Sequence, residues 1–376
     1  MTKRWLTRDI RLFSGLPQSD NFRDLLTIYP VRVAPRSRLH RPLAVVASIE
    51  LPETYDFGGE ARSTRDFLAA TETSGLLVLR DGEAVYERYD DPLGPSIPWP
   101  CWSVTKSFVS TLVGVAIAEG LVPGVDAIVS DLAPILAGSA YDGVRLSDVL
   151  TMSSGARWYE NYADAEADNR RHGQVHATGG SLDAFAATLP REWAPGTRLR
   201  YNSIDTNVLG LVLRRATQRN LTDLFREWLW EPMGAEHEAF FIIDGEGAEW
   251  AGAGLICTLR DRARLGLLLA NQGRIEDRSL VPAAWLDEAT TPQSPHLVED
   301  ASPAQPFGYG YQWWLHRGAV SAIGIYNQYV WVDPTRRLVI AKASANRHYG
   351  RSFDEAGYRD QEHMALFSAI AARNVE

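Results

Sequence analysis

The stretch Ser103-Val-Thr-Lys106-Ser-Phe-Val-Ser-Thr-Leu-Val-Gly-Val-Ala-Ile-Ala-Glu119, preceded by Trp102 and followed by Gly120, carries both a fold signal and a chemical one. Phe108, Val109, Leu112, Val113, Val115, Ala116 and Ile117 would occupy most of the circumference of a helix, which predicts an interior helix over 103–119 with Gly120 at its C-terminal cap. Ser103 and Lys106, three apart on that helix, share a face with Cβ atoms roughly 5–6 Å apart, so the amine can reach the hydroxyl. A neutral lysine can take the serine proton near neutrality only if its usual pKa of ~10.4 falls by roughly three units, a differential of about 4 kcal/mol. Burial in an apolar helix is a sufficient source. The first turn also offers unpaired backbone N–H groups, with that of Ser103 a candidate oxyanion donor. On spacing alone, a capping Ser103 with Lys106 in solvent is the competing reading.

Working outward, Gly75-Leu-Leu-Val-Leu-Arg80 and Glu83-Ala-Val-Tyr-Glu-Arg88 flank Asp81-Gly82, the signature of a tight hairpin. Helices are predicted at 147–152, 181–189, 204–217, 222–230, 259–270 (capped by Thr258) and 283–289 (entered through Pro282). Strands return at 319–325, 329–332 and 337–343, and 355–372 reads as a closing amphipathic helix. Residues 1–70 show no sustained period and read as an irregular extension wrapped on the main body. Strands near both ends with helices between them imply an α/β (α+β) fold: an antiparallel sheet flanked by helices, with an inserted, mostly helical domain. The expected division is 1–102 with 250–376 as the α/β domain and 103–249 as the helical domain, the active site lying at their junction.

Composition narrows the function. The 376 residues are 45% hydrophobic and 23% charged, as in a globular chain, and 38 basic against 47 acidic residues give a net charge of −9. That balance excludes a broad basic face for nucleic acid or anionic lipid. Cys101 and Cys257 are too few for a disulfide framework and read as two buried thiols, with a single bridge left open. Residues 1–10 have no long apolar run behind their basic residues, and no stretch reaches ~18 apolar residues, so a cytoplasmic protein is expected. Lys3, Lys106 and Lys342 are the only lysines. Arginine holds its proton at any working pH, so a lysine retained in such a chain invites inspection.

Ser103-Val-Thr-Lys106-Ser-Phe is followed in order by Leu150-Thr-Met-Ser-Ser-Gly155, by Pro195-Gly-Thr197 with Tyr201-Asn-Ser203, and by Gly252-Ala-Gly254 with Asp261. These blocks resemble those of the class C β-lactamases and penicillin-recognising serine hydrolases, and within that family the 6-aminohexanoate-dimer hydrolases and related carboxylesterases. The similarity runs from about residue 70 to the C-terminus. It implies a serine hydrolase that cleaves amides or esters through an acyl-enzyme, with Ser103 as nucleophile, Lys106 as base and Tyr201 as second proton carrier. A phenol can lend a proton to a departing amine, which agrees with that role. By the same resemblance the backbone N–H groups of Ser103 and Ile325 form the oxyanion hole, and Tyr162 binds the amide nitrogen. Trp158, Tyr159 and Tyr326 are expected as further substrate-binding walls. Where lactamases carry a Lys-Thr-Gly strand block, this chain has Gly324-Ile-Tyr-Asn-Gln328, so the cation that grips a β-lactam carboxylate is missing.

Other constellations are weaker. His172 and His176, near Asp164, Glu166 and Asp168, lack the Glu of a His-Glu-x-x-His motif and read as a solvated loop or lid. No Gly-x-Ser-x-Gly elbow, phosphate loop or dinucleotide fingerprint occurs. No metal and no cofactor is expected; the expected partner is a small-molecule amide or ester, with a homodimer left open. The alternatives are a D-amino-acid peptidase, a weak β-lactamase or a non-catalytic penicillin-fold binding module.

Overall fold

The computed structural model describes residues 10–39, 41–46, 49–298 and 306–373. The expectations placed on residues 1–9, including Lys3, lie outside them.

The hairpin forms as its turn residues dictate. Thr73–Arg80 and Glu83–Tyr89 pair antiparallel, with Asp81 and Gly82 both at positive φ, +51° and +89°. These strands complete a seven-stranded antiparallel sheet in the order Gly308–Tyr309, Trp314–His316, Ala319–Gly324, Gln328–Asp333, Leu338–Ser344, Thr73–Arg80, Glu83–Tyr89. One sheet is thus built from the two terminal parts of the chain. Its central strands are apolar on both faces because both are covered. Leu77, Leu79, Val339 and Ala341 join the main core, against which Leu259–Ala270 packs, whereas Leu76, Val78, Trp331 and Ile340 meet the C-terminal helix through Phe367 and Ile370.

The interior helix spans Thr105–Ala118, entered by a 3-10 turn at Trp102–Val104, and Gly120 takes φ +69° just beyond it. All of its residues from Thr105 to Ala116 are buried. It packs on the Ser203–Thr217 helix, which is capped by the Asn202 side chain accepting from the Ile204 N–H. Leu221–Phe225 continues into a π-helical turn at Arg226–Trp230. Thr258 caps Leu259–Ala270 by accepting from the Asp261 N–H, and the Asp261 carboxylate in turn accepts from the N–H groups of Glu236 and His237.

Three expectations are corrected. Residues 10–70 are not irregular throughout: Val31–Ala34 pairs with Ala239–Ile242 in a second sheet of four strands, completed by Leu255–Cys257 and Trp99–Pro100, and Thr64–Ala70 is a helix. The region around His172 and His176 is no solvated loop but a helix, Asp168–Thr178, with both imidazoles buried against the Trp250 ring, 5.2 and 4.4 Å between centroids. The closing helix is broken at Arg359, φ +59°, into Glu355–Tyr358 and Asp360–Arg373, and Asp360 at the break accepts a hydrogen bond from the Tyr329 hydroxyl. Cys101 and Cys257 are buried free thiols with sulfurs 3.4 Å apart. No described helix is long and apolar enough to cross a membrane.

Candidate active site

Ser103 sits in the 3-10 turn, where the chain reaches the interior helix from the short Trp99–Pro100 strand. The residue before it, Trp102, is held at φ +47°, a conformation that costs a bulky side chain about 1–3 kcal/mol. Edge-on contacts of its ring with Phe22 and Trp250 hold it there. Opposite Ser103 runs the end of the Ala319–Gly324 strand. A Cβ at Gly324 would stand 2.5 Å from the Cys101 carbonyl and 3.1 Å from the Ser103 nitrogen, so only glycine allows this approach. Ile325 follows directly and lines the same cleft as Ser103.

One helical turn on, Lys106 is 1% exposed. Its Nζ makes three contacts: Ser103 Oγ at 3.0 Å, Ser203 Oγ at 3.0 Å and the Gly252 carbonyl at 2.6 Å. Burial lowers its pKa to about 8, against the opposing pull of Glu160 and Asp205. The Tyr201 ring lies 5.1 Å from Nζ, stacked on Trp314. Burial pushes the Tyr201 phenol upward, Glu160 adds to the shift and a hydrogen bond with Ser103 opposes it, so the hydroxyl keeps its proton at neutral pH.

Glu160, which the sequence alone does not mark, organises one side of the site. Its carboxylate accepts from the Trp158 indole at 2.8 Å, from the Ser203 N–H at 3.1 Å, from the Ser203 hydroxyl at 3.0 Å and from the Tyr162 hydroxyl. The signal available was an acidic residue flanked by aromatics in Trp158-Tyr-Glu-Asn-Tyr162. Because the Ser203 proton is directed at Glu160, the Ser203 oxygen presents a lone pair to Lys106.

These groups open into a cleft of about 450 Å³. Ser103, Glu160, Tyr162, Tyr201, Trp314 and Ile325 line it together with Asp354, Glu355, Tyr358 and Asp360. No lysine or arginine lines it among the described residues. The structure therefore brings together Ser103, Lys106, Tyr201, Ile325 and Tyr162. Trp158, Tyr159 and Tyr326 stand outside the lining. Trp158 is fully buried behind Glu160. Tyr159 points outward, 44% exposed, its hydroxyl accepting from the Asn161 amide. Tyr326, at φ +62°, turns away from the cleft, and its hydroxyl accepts from the Phe13 N–H at 2.7 Å.

A family model described as Beta-lactamase matches residues 62–365. The chain belongs to the β-lactamase family. As a member it is a serine hydrolase of the acyl-enzyme type, acting on amides or esters. The 6-aminohexanoate-dimer hydrolase of Paenarthrobacter ureafaciens is 31% identical to this β-lactamase-family chain over 291 residues, 74% of each protein. Among solved structures, a Bacillus anthracis protein provisionally assigned as a 6-aminohexanoate-dimer hydrolase superposes with a TM-score of 0.82 at 20% identity, covering 98% of this chain and 99% of that one. A family VIII carboxylesterase superposes with a TM-score of 0.56 at 20% identity, covering 81% and 96%. Both structures share the β-lactamase-family fold of this chain.

Proposed function

We propose that this hydrolase cleaves short linear amides and small esters, with Ser103 as nucleophile, Lys106 as general base and Tyr201 as the proton carrier for the leaving group. The observation that carries the reading is the buried amine of Lys106, 3.0 Å from the hydroxyl of Ser103, which lines the cleft. Neutral Lys106 takes the Ser103 proton as Oγ adds to the carbonyl carbon, and the oxyanion faces the backbone N–H groups of Ser103 and Ile325. As the C–N or C–O bond breaks, Tyr201 gives its proton to the leaving atom and regains one from the Lys106 ammonium. Water then adds to the acyl carbon, losing its proton to the same pair, and Ser103 leaves reprotonated.

The substrate class follows from the lining. Glu160 and Asp354 in a lining that holds no lysine or arginine among the described residues disfavour an anionic acyl group and suit a neutral or amine-bearing chain, in keeping with the missing Lys-Thr-Gly cation. Tyr162, its hydroxyl turned to Glu160, is placed to meet the amide nitrogen. We take the segment 103–249, helical apart from the strand Ala239–Ile242, and the sheet-bearing remainder as two domains with the cleft at their junction.

Side-by-side turnover of 6-aminohexanoate linear dimer, p-nitrophenyl butyrate and nitrocefin tests the assignment. Hydrolysis of the first two, lost in Ser103→Ala, is expected; nitrocefin as the best substrate would refute the substrate class. A Ser103→Ala protein with undiminished activity would refute the mechanism.

A further inference from the structure

Lys106 makes its shortest hydrogen bond to the carbonyl of Gly252, a residue in the connection between the strands Ala239–Ile242 and Leu255–Cys257. Gly252 is anchored on both sides: the peptide that carries this carbonyl is held through its own N–H, that of Ala253, which donates to the Trp250 carbonyl at 3.2 Å. The Gly252 N–H donates to Oδ1 of Asn207 at 2.9 Å, and Asn207 lies one turn after Ser203 on the Ser203–Thr217 helix. Nδ2 of Asn207 lies 3.3 Å from Nε2 of His172, whose ring is buried and held neutral by that burial. The amide is thereby oriented, nitrogen toward the imidazole acceptor and oxygen toward Gly252. A Cβ at position 252 would stand 2.7 Å from the Ser203 carbonyl, so a glycine there lets the peptide lie directly on the helix.

We propose that Asn207 is a positioning residue for the general base: it holds the Gly252 backbone on the Ser203–Thr217 helix through the N–H side, and so places the Gly252 carbonyl that sets the direction of the Lys106 lone pair. The stereochemistry leads there. A neutral amine has two N–H bonds and one lone pair. The Gly252 carbonyl can only accept, and the Ser203 hydroxyl, its own proton committed to Glu160, also accepts. Both N–H bonds are thus assigned, and the remaining direction on nitrogen is the one facing Ser103. Without the Asn207 oxygen Gly252 keeps only the Ala253 anchor, its Cα can shift off the helix and carry the carbonyl with it, and the amine gains orientations in which its lone pair misses the serine proton. The substrate does not touch Asn207, which is buried and absent from the cleft lining, so binding is left alone.

This inference rests on Lys106 acting as the base, and the experiment separates the two. Steady-state kcat and KM for p-nitrophenyl butyrate are measured in Asn207→Leu, Asn207→Ser and Asn207→Asp, beside Ser103→Ala, with thermal melts of each. In Asn207→Leu, kcat falls by roughly 10- to 100-fold while KM stays within about twofold, the pattern of lost alignment rather than lost affinity. Asn207→Ser, too short to reach Gly252, falls similarly, and decides the matter if the leucine variant does not fold. Asn207→Asp keeps the accepting oxygen but adds a buried charge that raises the Lys106 pKa, so its kcat is read on the high-pH plateau, where it recovers most of the wild-type value. A folded leucine or serine variant with wild-type kcat overturns the assignment, as does an aspartate variant no faster than those two. If Ser103→Ala is inactive while Asn207→Leu is unaffected, only the Asn207 role falls; if Ser103→Ala is fully active, the reading of Ser103 and Lys106 falls with it.

Discussion

Lys106 Nζ and Ser103 Oγ lie 3.0 Å apart in a pocket that leaves the lysine 1% exposed. Contact and desolvation have one origin, since the helix that spaces the two residues is buried on every side. An arginine at 106 would keep the charge but hold its proton at any working pH, and its planar head does not match the three oxygens around Nζ. Lys106→Arg is therefore expected to lower kcat/KM for p-nitrophenyl butyrate by at least about 10³-fold, within the range assigned to a general base and its alignment. Fluorophosphonate labelling of Ser103, followed by intact mass, should slow in parallel. Labelling at the wild-type rate would show that Lys106 does not activate the serine.

The pH dependence follows from the same burial. Lys106 works as the free base, so activity is lost as pH falls through its pKa of about 8 and gained above it. For a neutral ester, log kcat/KM should rise with unit slope below that value and level off beyond it. Glu160 opposes the lowering of this pKa, so Glu160→Gln, which keeps one accepting oxygen for the Ser203 and Tyr162 hydroxyls but removes the charge, should move the midpoint to lower pH. A midpoint that stays put or climbs in the glutamine variant would contradict the electrostatic link.

Tyr201 should discriminate between leaving groups. An alkylamine must be protonated as it departs, whereas p-nitrophenolate leaves without help. In Tyr201→Phe the ring can still stack on Trp314, but the proton is gone. The loss in kcat is expected to be about 10²–10⁴-fold for a linear amide and much smaller for the nitrophenyl ester. Equal losses on both substrates would assign Tyr201 to positioning instead.

What the sequence revealed and what it hid divide along physical lines. The 103–119 helix is legible because apolar residues on its whole circumference admit few placements, and the paired strands from 319 to 344 because a sheet covered on both faces needs continuous apolar runs. The four-stranded sheet is not legible, since its Trp99–Pro100 member is two residues long and pairs with Cys257 and Ile256, far along the chain. His172 and His176 read as exposed because their segment is polar; their burial is created by Trp250. Glu160 is hidden for a related reason. A carboxylate in a polar loop reads as solvated until folding brings Ser203 and Tyr162 onto its oxygens.

Packing behind the site offers a test independent of chemistry. Gly266 lies mid-helix in Leu259–Ala270, where alanine ordinarily stabilises by about 0.5–1 kcal/mol. Here an added Cβ would stand 2.4 Å from Val339 Cγ1, 3.0 Å from Val330 Cγ1 and 3.2 Å from Val332 Cγ2. All three are β-branched residues on adjacent strands, stiff at χ1 and unable to swing aside. Overpacking of this kind costs about 1–3 kcal/mol, which exceeds the propensity gain. Gly266→Ala should therefore lower the Tm by a few degrees in differential scanning calorimetry. Gly266 does not line the cleft, so kcat on p-nitrophenyl butyrate at 20 °C should be unchanged. An alanine variant that melts higher than the parent would mean that the helix can move off the sheet without penalty, and that the close approach at Gly266 does not set the spacing between them.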